Sequence, residues 1–333
     1  MGYKLDSDSL NQFLLNMMPE YDIYAPKRFI GKGRFSDTDL IKYDRVDNSS
    51  EIVWDEKSDC SPKEIIFPVN QTLFYFTEDE FKESGYSKKK KLIFLRPCDI
   101  NGIERLDLIF LKNGSIEDSY YKRLRDNIKF VMIECCDGFE NCFCVSMGGN
   151  KTDKYDLAIR MSDKNILLDI KDDSFEKYIP VDSNVSDFKP EFIRTNIEVV
   201  KIPEDMPNKV RDIHSNSFWD EYKDRCIGCG RCNTTCITCS CHSTKDIFYD
   251  DNQNVGERRR IWASCQIDGF SEMAGGMSYR KDHGQRMRYK TMHKIYDFNK
   301  KFGKHMCVGC GRCDDNCPEY ISFSNCINKL NNL

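Results

Sequence analysis

The sequence predicts an α+β protein, in which an N-terminal α/β domain with a mixed sheet precedes a helical, cysteine-rich domain. Three observations lead to this prediction. Residues 1–205 alternate between helical and strand-like hydrophobic patterns. From about residue 210 the pattern becomes helical and basic, and the chain contains 18 cysteines among 333 residues. A chain of this length can bury two cores, so we expect domains at 1–205 and 206–333.

Composition and charge exclude several classes of protein. The net charge is −4, which gives no reason to expect a nucleic-acid partner. No apolar run reaches the roughly 18 residues of a membrane span. The amphipathic start "MGYKLDSDSLNQFLLNMM" lacks the basic and apolar regions of a secretory signal. We therefore expect a cytoplasmic protein without a membrane span.

The first helix is predicted near the N-terminus. Its apolar residues recur at helical spacing, with Ser7 or Asp8 as the N-cap and Pro19 at the end. The residues on this face are Leu10, Phe13, Leu14, Met17 and Met18.

Two buried strands are predicted to end close to cysteines. Residues 92–95 form one strand and precede Cys98, with Asp99 as the expected N-cap of the following helix. Residues 130–133 form the other strand and precede Cys135. Because ligand sites gather beyond the carboxyl ends of parallel strands, both cysteines are expected to face one site.

The remaining elements are predicted from shorter patterns. "EIIFPV" and "TLFYF" have strand character, as do "YDLAIRM", "NILLDI" and "NIEVVKI". "PEDMPNKVRD" is the expected linker between the domains. The segment that begins "RRRIWASC" is rich in helix formers, so helices rather than a β-hairpin are expected beside the second domain's cysteines.

Two four-cysteine runs with one spacing are the strongest signal in the chain. Both have the pattern C-x2-C-x2-C-x3-C, which is the bacterial ferredoxin spacing for [4Fe–4S] clusters. In two-cluster proteins the fourth cysteine ligates the other cluster. We therefore assign one cluster to Cys226, Cys229, Cys232 and Cys317, and the other to Cys307, Cys310, Cys313 and Cys236.

Zinc is the alternative for these runs, but zinc sites usually combine paired C-x2-C elements, four ligands to a site. Two complete runs fit iron–sulfur clusters better. The second domain is therefore expected to be a helical ferredoxin-like domain with two [4Fe–4S] clusters. Ile237 follows Cys236, whereas Pro318 follows Cys317.

Further cysteines in the N-terminal half are candidates for a third cluster. Four thiols form the expected set, and buried free cysteines are the alternative explanation. The set is Cys98, Cys135, Cys142 and Cys144, with Cys136 as an alternative to Cys135.

The other cysteines give weaker signals. Cys239, Cys241, Cys265 and Cys326 are candidates for one more set, and packing beside the clusters is the alternative. No histidine forms a recognisable catalytic motif with a cysteine. "GKGRF" at 31–35 does not continue as a dinucleotide or phosphate loop, so neither NAD nor flavin is expected.

Taken together, these motifs resemble those of a known family. "RPCDINGIERLD", "CFCVSMGGNKTD", "CIGCGRC…CITCSC", "RRRIWASC" and "CVGCGRCDDNCPEYIS" in combination resemble the iron–sulfur relay subunit of the anaerobic, siroheme-type sulfite reductase. The β subunits of soluble sulfhydrogenases share these elements. The resemblance implies that all eight cysteines of the two runs are cluster ligands. The N-terminal set also matches the family's pattern.

The resemblance implies an electron-relay protein without a catalytic residue of its own. Its implied partners are a flavin and [2Fe–2S] subunit that oxidises NADH, together with a siroheme subunit that reduces sulfite to sulfide. One alternative is the β subunit of a hydrogenase or sulfhydrogenase. Another is a redox-sensing protein that uses its clusters structurally, and reversible reduction near roughly −400 mV would argue against it.

Overall fold

An eight-stranded mixed sheet and a four-stranded antiparallel sheet organise the chain. The computed structural model describes residues 1–162, 165–249, 251 and 253–333. The larger sheet has the order β10-β1-β9-β8-β7-β6-β2-β3, and the smaller has the order β11-β12-β4-β5. The strands are β1 (Gly2–Leu5), β2 (Tyr21–Phe29), β3 (Leu40–Arg45), β4 (Asn70–Phe76), β5 (Phe81–Glu83), β6 (Lys90–Leu95), β7 (Ile128–Ile133), β8 (Leu157–Met161), β9 (Ile166–Ile170), β10 (Asn184–Ser186), β11 (His242–Phe248) and β12 (Gly256–Trp262).

Helices cover the larger sheet and dominate the C-terminal part, as the sequence predicts for an α+β protein. They are α1 (Ser7–Met17), α2 (Lys63–Ile66), α3 (Pro97–Lys112), α4 (Ser119–Arg125), α5 (Met206–Ser215), α6 (Asp220–Arg225), α7 (Arg231–Thr234), α8 (His283–Met292), α9 (Phe298–Phe302), α10 (Arg312–Asp315) and α11 (Phe323–Lys329). A π-helical turn at His293–Asp297 joins α8 to α9.

The centre of the larger sheet is parallel and buried on both faces. β2, β6, β7 and β8 pair in parallel, while the outer pairs are antiparallel. Leu92 and Phe94 of β6 enter the core on the α1 side, and Ile93 and Leu95 enter the core that contains α3. This alternation follows from the two-residue period of a strand, and it explains the continuous apolar pattern of β6.

Several predictions about the N-terminal elements are confirmed. Strands cover 92–95 and 130–133, and α1 buries the predicted face. The N-cap of α1 is Asp6, however, whose carboxylate accepts the Ser9 N–H at 2.8 Å. Asp99 is not an N-cap, because α3 begins at Pro97 and Asp99 lies fully buried in its first turn.

Some secondary-structure predictions are wrong because tertiary contacts override local pattern. "EIIFPV" contains the short helix α2, and "NIEVVKI" forms no strand. The predicted linker includes α5. "RRRIW" belongs to strand β12, which pairs with both β11 and β4. A β-hairpin is thus inserted between the cysteine runs, and it joins strands from the N-terminal half. The division at residue 205 stays a prediction.

The cysteine runs pack against the α3 face of the larger sheet. Ile237 and Val308 are buried in the same core as Ile100 and Ile103 of α3. Gly102 makes this approach close, because a Cβ there would lie 2.3 Å from Ile237 Cγ2. Ile237, which replaces the proline seen after Cys317, therefore serves as an apolar contact between the two halves.

A buried ion pair connects α3 to the second cysteine run. The Arg312 guanidinium donates to both carboxylate oxygens of Asp99, at 2.5 and 3.0 Å. Arg312 also donates to the Ser58 carbonyl and hydroxyl, each at 2.9 Å, and the Tyr43 hydroxyl donates to Asp99 at 3.1 Å. The Arg312 side chain is 2% exposed and that of Asp99 is not exposed. The pair is thus fully enclosed, and its charges depend on each other.

Within the ranges that the structure describes, no helix has the length and apolar character needed to cross a membrane.

Loss of this ion pair should destabilise the fold. Arg312→Leu should lower the free energy of unfolding by about 3–5 kcal/mol, because it leaves the Asp99 carboxylate buried without its partner. Anaerobic denaturant titration would measure the loss. Arg258→Leu is the matched control, since the exposed Arg258–Asp246 pair should contribute below about 1 kcal/mol. Equal losses in the two variants would contradict the role assigned to Arg312. Iron content should be measured alongside the denaturant titration of Asp99→Asn. The two measurements show whether stability is lost through the broken ion pair or through loss of metal.

Candidate metal centre

The first candidate site is a cavity lined by cysteines of both runs. Met287, Lys290 and Phe323 complete the wall of this cavity. Cys229 is exposed, which places this cavity at the protein surface. Its cysteines are Cys226, Cys229, Cys232, Cys317 and Cys313. The structure thus brings Cys317 of the second run to the first three cysteines of the first run.

The second candidate site is an adjacent, more enclosed cavity. Here the fourth cysteine of the first run joins the first three of the second run. The cysteines are Cys307, Cys310, Cys313, Cys236 and Cys232. Cys232 and Cys313 line both cavities, whereas Cys317 lines only the first and Cys236 only the second. Each fourth cysteine thus lies with the first three cysteines of the other run, and the ligand sets themselves stay a prediction.

The two runs have nearly the same backbone conformation. Gly228 and Gly230 have φ angles of +67° and +73°, and Gly309 and Gly311 have φ angles of +69° and +73°. In each run the second glycine precedes a one-turn helix, α7 or α10, that carries the third cysteine. The left-handed conformation is open to glycine without strain, which explains the C-x-G-C-G-x-C pattern of both runs.

Buried lysines lie against the cysteine cavities. The Lys294 ammonium is 3.4 Å from Cys236 Sγ and donates to the Thr238 hydroxyl at 2.8 Å. Lys290 is 3% exposed and borders both cavities. Burial alone would lower the pKa of Lys290, but the adjacent Cys232 and Cys313 thiols raise it well above its ordinary value. Both lysines therefore carry positive charge beside sulfur, where it balances an anionic cluster.

Burial opposes ionisation of the free thiols. It raises the pKa of Cys307 to about 12 and that of Cys310 to about 11. Metal ligation requires the thiolate, so a bound metal must displace these protons. In the described part of the chain, no three His, Cys, Asp or Glu side chains are grouped to hold a single metal ion.

The four N-terminal candidate cysteines converge beyond the carboxyl ends of β6 and β7. Cys98 lies in the first turn of α3, and Cys135 follows β7 by two residues. Charge on Cys142 and Cys135 raises the pKa of the Cys144 thiol beyond the increase caused by burial. Burial also raises the pKa of the Cys98 thiol, and the charge of Cys144 contributes to this increase. The structure therefore brings all four thiols close enough to interact electrostatically.

The N-terminal set lies directly against the second cysteine run. The Cys142 thiol donates to the Cys310 carbonyl at 3.5 Å, and the Phe143 N–H donates to the Gly309 carbonyl at 2.8 Å. A Cβ on Gly309 would lie 2.5 Å from the Phe143 carbonyl carbon, so only glycine permits this approach. The second cavity thus lies between the first cavity and the N-terminal set.

The structure distinguishes between Cys135 and its neighbour. Cys136 is exposed. The pKa of its thiol is raised to about 11, first by partial burial and next by the Glu134 carboxylate. Cys135 is half-buried and interacts electrostatically with Cys142. Both line an open cleft together with Arg96 and Arg160. Cys135 is therefore the better candidate for the N-terminal set.

Cys326 does not belong with the remaining cysteines, contrary to one alternative from the sequence. Its fully buried thiol lies 3.7 Å from the Thr291 hydroxyl in the helical core. Cys239, Cys241 and Cys265 instead line a separate cavity. The physical reason is that α11 packs against α8, which places Cys326 in their apolar interface.

Buried basic side chains border these sites, and sequence patterns alone do not show that they are buried. Lys63, Lys290, Lys294 and Arg312 are each at most 3% exposed. Lysine is almost never fully buried without a partner, so only three-dimensional proximity to sulfur identifies these residues. The one indication of these residues in the sequence is that basic residues recur at helical spacing in α8, next to the second run.

Comparison with known proteins agrees with these cavities. A family model described as a 4Fe-4S dicluster domain matches residues 225–321. The chain is 27% identical over 339 aligned residues to the sulfhydrogenase 2 subunit beta of Pyrococcus furiosus, and the alignment covers 98% of this chain and 97% of that protein. No solved structure matches. The chain is therefore an iron–sulfur electron-transfer protein with two [4Fe–4S] clusters.

The exchanged ligand sets can be tested with paired substitutions. If Cys317 serves the first cluster, Cys226→Ser/Cys317→Ser removes one cluster, about four irons per chain. Cys226→Ser/Cys236→Ser then removes both clusters, about eight irons. Iron and acid-labile sulfide of the anaerobically purified variants measure this difference. If each run served its own cluster, the two double variants would exchange their results.

The Lys294 ammonium should raise the reduction potential of the second cluster, because it stabilises the added negative charge. Lys294→Met should therefore lower this potential by about 60 mV, equivalent to about 1.4 kcal/mol for one electron. EPR-monitored redox titration measures the shift. Lys300→Met is the control, since Lys300 is exposed on the neighbouring helix α9. An unchanged potential with full iron content in Lys294→Met would rule out this role.

Proposed function

We propose that the chain relays single electrons from an electron-donating subunit to a catalytic subunit of an oxidoreductase complex, or in the reverse direction. The exchanged cysteine sets of the two adjacent cavities carry this proposal. Cys226, Cys229, Cys232 and Cys317 would hold one cluster, and Cys307, Cys310, Cys313 and Cys236 the other. The clusters supply reversible one-electron transfer, and the surrounding lysines compensate their charge.

A third cluster would extend the relay into the N-terminal half. Cys98, Cys135, Cys142 and Cys144 are its proposed ligands. The support is the convergence of these thiols and the contact between Cys142 and Cys310. Lys57 lies beside this contact, with its ammonium 3.9 Å from Cys142 Sγ and 3.4 Å from the Cys310 carbonyl. The cation would stabilise thiolate at the junction of the two sites.

This arrangement gives the relay two ends at the surface. The first cavity opens at the exposed Cys229 and Ile227. The third set borders the open cleft beside Cys135 and Arg96. The second cavity lies between them, because Cys232 and Cys313 border the first and Cys310 contacts Cys142. An electron could therefore enter at one end and leave at the other, as a relay between two partners requires.

The catalytic partner is assigned from the comparison. The Pyrococcus furiosus relative is named as the beta subunit of a sulfhydrogenase and aligns over nearly its whole length, so we propose a hydrogenase-type complex as the first candidate. An anaerobic sulfite reductase, with one flavin subunit and one siroheme subunit, is the second candidate. The motifs "RPCDINGIERLD", "CFCVSMGGNKTD" and "RRRIWASC" support both candidates.

One preparation distinguishes the two candidates. The complex would be purified anaerobically from its native cells through an affinity tag on this chain. Nickel and hydrogen-dependent dye reduction indicate the hydrogenase type. Siroheme absorption and sulfite-dependent NADH oxidation indicate the sulfite reductase type. A chain purified alone, with clusters that cannot be reversibly reduced, would contradict an electron-relay function altogether.

The third cluster has its own test. The intact chain should contain about twelve irons, and Cys142→Ser/Cys144→Ser should contain about eight. The remaining two clusters should keep their EPR signals, because their proposed ligands are unchanged. Cys60→Ser is the control, since Cys60 belongs to none of the proposed sets. About eight irons in both the intact chain and the double variant would mean that the N-terminal cysteines only pack.

A further inference from the structure

Three cysteines outside all the proposed cluster sets share one cavity. Cys239, Cys241 and Cys265 line a small cavity. Lys290 and Lys294 close it on the side of the two cluster cavities. Cys236, a proposed ligand of the second cluster, lies close enough to Cys239 to raise the pKa of the Cys239 thiol. The cavity is therefore next to the electron relay but separate from its proposed ligands.

The hairpin of β11 and β12 holds Cys241 and Cys265 together. Cys241 immediately precedes β11, and Cys265 follows the end of β12 by three residues. The Ala263 N–H donates to the Cys241 carbonyl at 2.9 Å, which extends the antiparallel pairing past the ends of the strands. Pairing of β12 with β4 anchors the hairpin in turn. The positions of the two cysteines are thus set by sheet geometry.

The Cys241 and Cys265 thiols are neighbours in this cavity, and each shifts the pKa of the other, upward for Cys241 and downward for Cys265. Two neighbouring thiols whose positions are fixed by paired strands have the arrangement from which a disulfide forms.

Buried amides stabilise one of the two sulfurs as a thiolate. Asn233 Nδ2 donates to Cys265 Sγ at 3.1 Å, and Gln266 Nε2 lies 3.7 Å from the same sulfur. These amide side chains belong to residues that are 1% and 2% exposed. The neighbouring Cys241 thiol, together with the hydrogen bonds from these amides, lowers the pKa of Cys265 against the opposing effect of burial. A thiolate beside a thiol is the reactive form in thiol–disulfide chemistry.

We propose that Cys241 and Cys265 form a redox-active dithiol–disulfide pair beside the second cluster. Oxidation would form the S–S bond, release two protons and pass two electrons, one at a time, to oxidised one-electron carriers of the proposed relay. Reduction breaks that bond and returns two electrons and two protons to the sulfurs. A one-electron iron–sulfur donor supplies the electrons in two steps, so this proposal rests on the relay function proposed above. The pair would store two electrons where the clusters carry one each.

The test combines thiol mapping with electron counting on the intact, anaerobically purified chain. Samples poised at a series of potentials are quenched in acid, alkylated with N-ethylmaleimide, digested and analysed by mass spectrometry. A peptide linking Cys241 to Cys265 should be present in oxidised samples and replaced by two alkylated peptides after dithionite reduction. Reductive titration should require about two more electrons per chain in the wild type than in Cys265→Ser.

Matched variants separate this proposal from its rivals. Cys241→Ser should reproduce Cys265→Ser, Cys60→Ser should behave as the wild type, and all should keep the wild-type iron content. Loss of about four irons in Cys265→Ser would make the cavity another cluster site and overturn the pair. Alkylation of both cysteines at every potential would overturn it as well. Absence of iron from the wild type would instead refute the relay function.

Discussion

The buried Asp99–Arg312 pair is the contact on which the arrangement of the metal sites depends. Asp99 follows Cys98 at the start of α3, and Arg312 precedes Cys313 in the second run. A charge pair without solvent tolerates little displacement, because each partner would otherwise leave the other unpaired in a low-dielectric interior. The pair therefore aligns the N-terminal cysteines with the second run. The tight packing of Gly309 on Phe143 and of Ile237 on Gly102 occurs on either side of it.

Charge compensation explains why so many basic groups are buried in a nearly neutral protein. Lys290 and Lys294 have thiols and a hydroxyl, rather than carboxylates, near their ammonium groups. Lys63 donates to the carbonyls of Asn233 and Cys239 and lies 3.9 Å from the centre of the Trp262 ring. Buried cations are expensive unless matched by anions. The thiolates and clusters of the neighbouring cavities provide that match, so metal binding and folding are thermodynamically linked.

Local patterns predicted the parts of the structure that local chemistry determines. The spacing of each cysteine run, the strands near Cys98 and Cys135, and helix α1 could all be predicted, because each depends on residues close in sequence. Strand β12 could not, since "RRRIW" is extended only through pairing with β4, more than 180 residues earlier. The roles of Asp99 and Lys294 were missed for the same reason. Their partners are distant in the chain, and their residue types are usually exposed.

Pairing of β4 with β12 also constrains the order in which the protein can be made. While residues 70–76 emerge from the ribosome, the strand that completes their sheet is still untranslated. Asp99 and Cys142 likewise wait for Arg312 and Cys310, which follow them by 213 and 168 residues. The N-terminal half therefore reaches its final packing only after the second cysteine run has been synthesised. Cluster assembly must also follow synthesis of that run, and a product truncated before β12 would expose both an unpaired strand edge and reactive thiols.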